Sequence, residues 1–154
     1  MIKKNIIIYV DGACTGNPGP GGWGFTMSYN DHVKEEYGSE IYTTNNRMEI
    51  TAAIKAIKAI KKPSSITIYT DSVYLKNGIT VWIHNWIKRN WNKNSKNPIK
   101  NIDLWQELWE AISIHTVEWV WVKGHNGNQG NERADYLANL GKNEAMRLAN
   151  ANNR

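Results

Sequence analysis

The sequence predicts an α/β protein: a mixed β-sheet with helices on its faces. Three observations carry that reading. Residues 5–10 form an apolar run closing on Asp11, as a central strand does. Residues 23–29 and 33–42 are strand-like segments either side of Asn30-Asp31, the pattern of a hairpin. Beyond Thr44 the hydrophobic period becomes helical, and two further short strands are then separated by helices. An order βββαβ, short helices, helix, β, α joins an antiparallel hairpin to parallel crossovers, which gives a mixed sheet. With 154 residues, no repeat and no linker, one domain over 1–154 is expected, its core at about 5–142.

Each element has a local reason. Gly12 to Gly22 holds five glycines and two prolines and reads as a dense turn region. Thr44 is a good N-cap, Ile50, Ala53, Ile54, Ile57 and Ile60 recur at helical spacing, and Pro63 stops the pattern. Ser65 to Thr70 reads as a strand ending in Asp71. A short helix from about Ser72 is expected to end at Gly78, with Thr80 capping a second one that carries Trp82 and Trp86. Residues 88–100 are basic, Asn-rich and without period, an exposed loop. Asp103 to Trp109 opens an amphipathic helix with its acids early, as the helix dipole prefers. Thr116 to Val122 reads as a strand, Gly124 to Gly130 as a loop. Asn131 should cap a last helix burying Ala134, Leu137, Ala138 and Leu148, with residues 150–154 frayed.

Composition removes whole classes. Hydrophobic residues are 41% and charged residues 21%, as in globular chains and unlike disordered ones. No run has the apolar length of a membrane span, and the N-terminal apolar stretch runs straight into Asp11, unlike a signal peptide. One cysteine, Cys14, excludes an internal disulfide or multi-thiolate metal site and fits a reducing cytoplasm.

The net charge of +5 is localised. Between Asp71 and Asp103 no acid occurs, while Lys76, Lys88, Arg89, Lys93, Lys96 and Lys100 do; the rest of the chain has 13 bases against 14 acids. That segment is an expected anion-binding surface. Trp82, Trp86 and Trp91 interleave with its bases, suited to packing on sugars or bases while cations hold phosphates; Trp82 and Trp86, like Trp105 and Trp109, also fit a core stripe.

Four acids stand at notable places. Asp11 and Asp71 each follow an apolar strand, Glu49 lies about one turn into the helix opened by Thr44, and Asp135 lies one turn into the last helix, after the loop holding His125. Strand ends of an α/β sheet meet at a ligand crevice. Carboxylates gathered there require a cation, and all-oxygen donors suit a hard one such as Mg²⁺. Taken singly, each acid also fits a turn former, a helix cap or a solvated side chain, and His125 an exposed loop histidine.

The ordered motifs decide between these readings. Asp11-Gly12-Ala13-Cys14 with Gly16-Asn17-Pro18-Gly19-Pro20-Gly21-Gly22, then Thr43-Thr44-Asn45-Asn46-Arg47-Met48-Glu49, then Thr70-Asp71-Ser72, then Trp121-Val122-Lys123-Gly124-His125, then Asn131-Glu132-Arg133-Ala134-Asp135 resemble, in the same order, the type I bacterial-like ribonuclease H family. The resemblance runs from about Ile6 to Leu140. It implies a ribonuclease H-like fold, a mixed five-stranded sheet of order 3-2-1-4-5 flanked by helices. It implies an endoribonuclease that hydrolyses the RNA strand of RNA–DNA hybrids, leaving 3′-hydroxyl and 5′-phosphate ends. Metal ligands would be Asp11, Glu49, Asp71 and Asp135, holding two Mg²⁺ ions (Mn²⁺ able to substitute), with Asp11 bridging. His125 would assist proton transfer or product release. The partner is an RNA–DNA hybrid, with no membrane, and the family's default state is a monomer.

Substrate positions follow from the same resemblance. Asn17, Asn45 and Asn46 match positions that contact the minor groove, and backbone groups from Cys14 to Asn17 are suited to testing a 2′-hydroxyl on one strand only, because glycine lets the duplex approach closely. Thr44 and Asn101 match a DNA-phosphate pocket, Asn101 also being a candidate helix cap. Trp82, Lys88, Arg89, Lys93 and Lys96 match the basic protrusion that grips the DNA strand. Two positions depart: Val73 stands where close relatives often have Gln, and Tyr42 where some have Arg. The other readings are a non-catalytic hybrid-binding module and another nuclease of the same superfold. The first gains nothing from acids near phosphates, and the second usually pairs acids as Asp-x-Glu or adds DNA-binding domains.

Overall fold

β1 (Asn5–Cys14), β2 (Gly19–Tyr29) and β3 (His32–Thr43) form an antiparallel meander; β4 (Ser65–Thr70) and β5 (Thr116–Trp121) pair parallel beyond β1. The strand order is β3-β2-β1-β4-β5 in the computed structural model, which describes residues 5–152. The helices are α1 (Asn45–Lys58), α2 (Val73–Asn77), α3 (Ile83–Lys88), α4 (Ile102–Ile112) and α5 (Gln129–Asn152). The expected mixed sheet and its order are both present.

Period-2 alternation explains the core. Ile6, Ile8 and Val10 of β1 and Ile66 and Ile68 of β4 are buried together with Ile50, Ala53, Ile54 and Ile57 of α1 and Trp105 and Leu108 of α4. α5 lies across β1, β2 and β3. It can do so because Gly24 has no side chain; a Cβ there would stand 2.6 Å from that of Leu137.

The register creates the crevice. β1 pairs with β4 only as far as Tyr9 and Tyr69, whereas it follows β2 to Cys14 and Gly21. Past residues 9 and 69 the two central strands part, and Asp11 and Asp71 lie just beyond that point.

Several local expectations change. The glycine-rich segment is mostly strand: β1 continues to Cys14, so Asp11 lies within it, and β2 starts at Gly19. Only Thr15 to Pro18 turns, with Gly16 and Asn17 left-handed and a cis Asn17–Pro18 bond. Gly78 does not end the helix. Its backbone is helical and the chain runs through one π turn, Gly78–Trp82, into α3; a Cβ at Gly78 would enter the Trp105 ring, so the glycine serves packing. Thr80 caps nothing, since its hydroxyl donates to the Lys76 carbonyl at 2.6 Å.

At the C-terminal end α5 starts two residues before Asn131, whose N–H donates to Asn128 Oδ1 at 3.0 Å, making Asn128 the capping side chain. Ala134, Leu137 and Ala138 are buried as expected, but Leu148 is exposed. α5 continues helical to Asn152; residues 153–154, also expected to fray, lie outside the described residues. Segment 88–100 is largely exposed, although Ile99 is buried and Trp91 packs against Trp86.

Candidate active site

Asp11 comes from β1, Asp71 from the bend after β4, and Glu49 from the second turn of α1. α1 reaches the site because Gly12 lets it approach: a Cβ there would stand 2.6 Å from the Glu49 backbone nitrogen. Thr44 starts the helix, its Oγ1 accepting from Arg47 N at 3.2 Å. The Asp71 bend is tied on both sides. Its carbonyl accepts from Trp121 Nε1 at 3.1 Å, and Thr70 Oγ1 accepts from Ser72 N at 3.0 Å.

One oxygen from each of Asp11, Glu49 and Asp71 lies within 4.8 Å of the other two. Asp11 and Glu49 are both only 3% exposed. Glu49 Oε2 is buried with no hydrogen-bond partner. Burial, and then the charge of Asp71, push the Asp11 carboxyl up to about 8. Burial, then Asp11 and Asp71, push Glu49 well above the usual carboxylate range. Asp135, from α5, adds to the pressure on Asp11 by its charge and by contact, so the last helix brings its acid to the same place. Mutually repelling carboxylates, two of the three buried, are a donor set that fits a hard divalent cation.

His125 is exposed and left-handed at φ 54°. Its neighbour Gly124 packs on the site, where a Cβ would lie 3.0 Å from Asp71 Oδ2. The loop therefore carries His125 past the carboxylates.

The substrate candidates divide into groups. Cys14, Asn17, Thr44 and Asn45 sit together: Cys14 Sγ donates to the Thr43 carbonyl at 3.4 Å, and Asn17 Oδ1 accepts from Asn45 N at 2.9 Å. Asn46 is half-buried in the first turn of α1. Trp82 stacks edge-on to Tyr74 at 5.5 Å and also neighbours Trp86, which reaches Trp91 and the fully buried Trp105. Trp86 and Trp105 thus follow the core-stripe reading, while Trp82, 36% exposed, stands at the rim. Lys88, Arg89, Lys93 and Lys96 are exposed. Asn101 precedes α4 in a left-handed conformation but makes no side-chain cap bond. Its amide instead bonds Arg47 and Tyr74. Val73 and Tyr42 are both exposed.

Sequence reasoning passed over three residues here. Arg47 appears in a motif only as a neighbour of Glu49, yet it forks onto Asp103 at 3.0 and 2.8 Å. Tyr74 carries no local signal beyond being aromatic, and Trp121, read as a strand residue and as part of the motif ending at His125, carries none for its bond to the Asp71 carbonyl.

The ribonuclease H family model, described as RNase H, matches residues 3–143. Ribonuclease H of Rickettsia typhi is 57% identical over 147 residues, covering 96% of this chain and 97% of its own length. Ribonuclease H of Methylobacillus flagellatus is 56% identical over 146 residues, covering 94% and 97%. The chain belongs to the ribonuclease H family. Among solved structures, LC9-RNase H1, a type 1 RNase H, superposes with a TM-score of 0.86 at 35% identity, covering 94% of this chain and 75% of that one. Ribonuclease H enzymes hydrolyse RNA in RNA–DNA hybrids. This ribonuclease H is a metal-dependent endoribonuclease of that kind, and its acidic triad, with Asp11 and Glu49 buried, fits the use of a divalent metal. No helix among the described residues is long and apolar enough to cross a membrane.

Proposed function

We propose that this ribonuclease H cuts the RNA strand at the Asp11–Glu49–Asp71 crevice, with Asp135 as fourth ligand and two Mg²⁺ ions, leaving 3′-hydroxyl and 5′-phosphate ends. The observation that carries the reading is the three-carboxylate cluster with a buried, unpartnered Glu49 oxygen. Bound divalent ions supply Lewis-acid stabilisation of the scissile phosphate and make an attacking water more acidic.

The chain's own residues do the rest. Asp11, pressed by the other acids, would be a ligand to the ions. Glu49 and Asp71 would hold the ions with it, and Gly12 keeps α1 close enough for Glu49 to serve. His125, exposed beside Gly124, accepts or returns a proton at the cut and eases product departure. Asn17, Asn45, Asn46 and the backbone at Cys14 face the minor groove. Thr44 and Asn101 hold a DNA phosphate, and Trp82 with Lys88, Arg89, Lys93 and Lys96 holds the DNA strand away from the cut. A purely binding module is disfavoured, because buried acids repel phosphates unless a cation stands between them.

The test is cleavage of labelled RNA–DNA hybrid, single-stranded RNA and double-stranded DNA, each with Mg²⁺ and with chelator. Cutting confined to the hybrid's RNA strand and dependent on Mg²⁺ is expected. Metal-independent cutting, or none of the hybrid, would refute the proposal.

A further inference from the structure

Arg47 is bonded to both residues of the proposed DNA-phosphate pocket. Its backbone N–H donates to Thr44 Oγ1 at 3.2 Å. Its guanidinium donates to Asn101 Oδ1 at 3.3 Å, and also grips Asp103 through both oxygens. Asn101 Nδ2 donates to the Tyr74 hydroxyl at 3.0 Å.

A hydroxyl has one donor, and a side-chain amide has an acceptor end and a donor end. In both cases here the acceptor is the atom turned to Arg47. Thr44 keeps its O–H, and Asn101 keeps the second hydrogen of its NH₂ group. An anion needs those donors; a flipped Asn101 would present its oxygen to a phosphate instead. Arg47 has no acceptor, so it admits only the oxygen-inward orientation of Asn101. Asp103, itself exposed, fixes the plane of the fork from α4 and offsets its charge.

We propose that Arg47, held by Asp103, is a positioning residue whose guanidinium sets the Asn101 amide donor-outward, beside the helix-capping Thr44 hydroxyl, for one phosphate of the DNA strand. This rests on the hybrid-binding reading above and names what that reading lacks, the group that orients its pocket. Tyr74 connects the same pocket to Trp82, so the handle and the catalytic helix meet at Asn101.

The decisive variant is Asp103→Asn, because two readings give opposite signs. If surface charge alone matters, removing an acid tightens hybrid binding, as does freeing Arg47 to meet phosphate directly. If Asp103 holds the fork in place, binding weakens. We expect affinity for a hybrid, followed by fluorescence anisotropy in chelator, to fall about tenfold, the size of one charge-assisted hydrogen bond. In Mg²⁺, KM should rise with kcat retained. Arg47→Lys, which keeps charge and loses the fork, should behave alike. A scan of single methylphosphonates along the DNA strand should find one position whose penalty in the native protein disappears in Asp103→Asn.

Unchanged or tighter binding by Asp103→Asn would overturn the proposal. So would a methylphosphonate penalty that persists in that variant, since a merely structural ion pair lowers Tm without moving a single phosphate's contribution. Asn101→Gly separates the layers, keeping the left-handed backbone while deleting the amide. If it leaves affinity intact, the pocket itself fails. If it weakens binding while Asp103→Asn does not, only the role of Arg47 fails.

Discussion

Replacing Asp11 by Asn should give a protein that is dead as a nuclease yet more stable than the original in the absence of metal. An unfolded Asp11 ionises from 3.8 upward, the folded one from about 8. Between those values the folded state therefore holds a proton that the unfolded state has released. Stability falls as pH rises through that window and levels off above it. At about 1.4 kcal/mol per pH unit, the mismatch at pH 7 comes to about 4 kcal/mol. Asn has nothing to ionise. Part of the repulsion remains between Glu49 and Asp71, so a gain of about 2–4 kcal/mol is expected, roughly 5–15 °C in Tm for a chain of this size.

The assay is urea unfolding in chelator at pH 5, 7 and 8.5, repeated in Mg²⁺. The native protein should lose stability from pH 5 to 8 in chelator, and Asp11→Asn should show a much smaller slope. Saturating Mg²⁺ should close much of the gap, because an ion bound to the native state at a hundredfold over its Kd adds about 2.7 kcal/mol. A flat native profile in chelator, with Asp11→Asn no more stable, would refute the reasoning that links burial, repulsion and metal.

Two predictions concern other parts of the chain. His115 accepts from Ser64 N through Nδ1 at 3.1 Å, and burial holds its pKa below the ordinary 6.5. The unfolded state takes up the proton first as pH falls below about 6.5, so His115 supports the fold above that value and less below it; the stability advantage over His115→Gln should shrink from pH 7 to 5, and a constant gap would contradict this. Changing Lys88, Arg89, Lys93 and Lys96 to Gln should raise KM more than it lowers kcat, and should flatten the salt slope of hybrid affinity by about one for each base that meets a phosphate; an unchanged slope would remove the handle from the binding surface while leaving the nuclease intact.

Legibility followed the range of the forces. β4 was readable to the residue and α1 from its cap, because a period of two or 3.6 and a Thr N-cap are local signals. The hairpin turn at Asn30-Asp31 was readable for the same reason. Gly12 and Gly78 are misread, since locally a glycine signals a turn, while Gly24 falls inside an expected strand without its packing role being visible. Gly12, Gly24 and Gly78 are there for α1, α5 and the Trp105 ring, and each demand comes from elsewhere in the chain. Asn131 looked like a cap because the true cap, Asn128, lay inside a loop rich in equally suitable residues. The site acids were legible as an ordered set of motifs and not as chemistry. Nothing in the spacing of Asp11, Glu49 and Asp71 says that their oxygens meet within 4.8 Å. Arg47 was the hardest to see, its partner Asp103 being 56 residues away.

The segment Thr44 to Glu49 shows why so much function depends on so little sequence. Successive helical residues are about 100° apart, so Arg47 and Glu49 point in nearly opposite directions from one turn. Glu49 enters the carboxylate cluster, while Arg47 reaches Asn101 and Asp103. Thr44 caps that turn, and Asn45 N donates to Asn17 in the loop between β1 and β2. A single helix start thus fixes the relation among the proposed metal ligands, the proposed minor-groove loop and the proposed phosphate pocket. Cutting at one RNA phosphate while holding a DNA phosphate elsewhere, as proposed, would require those distances to be constant, and the cap bond ties that turn to Thr44. The net charge is divided by the same turn: acids gather with Glu49 where the proposed cations would bind, and the bases between Asp71 and Asp103 precede Asn101, which Arg47 bonds.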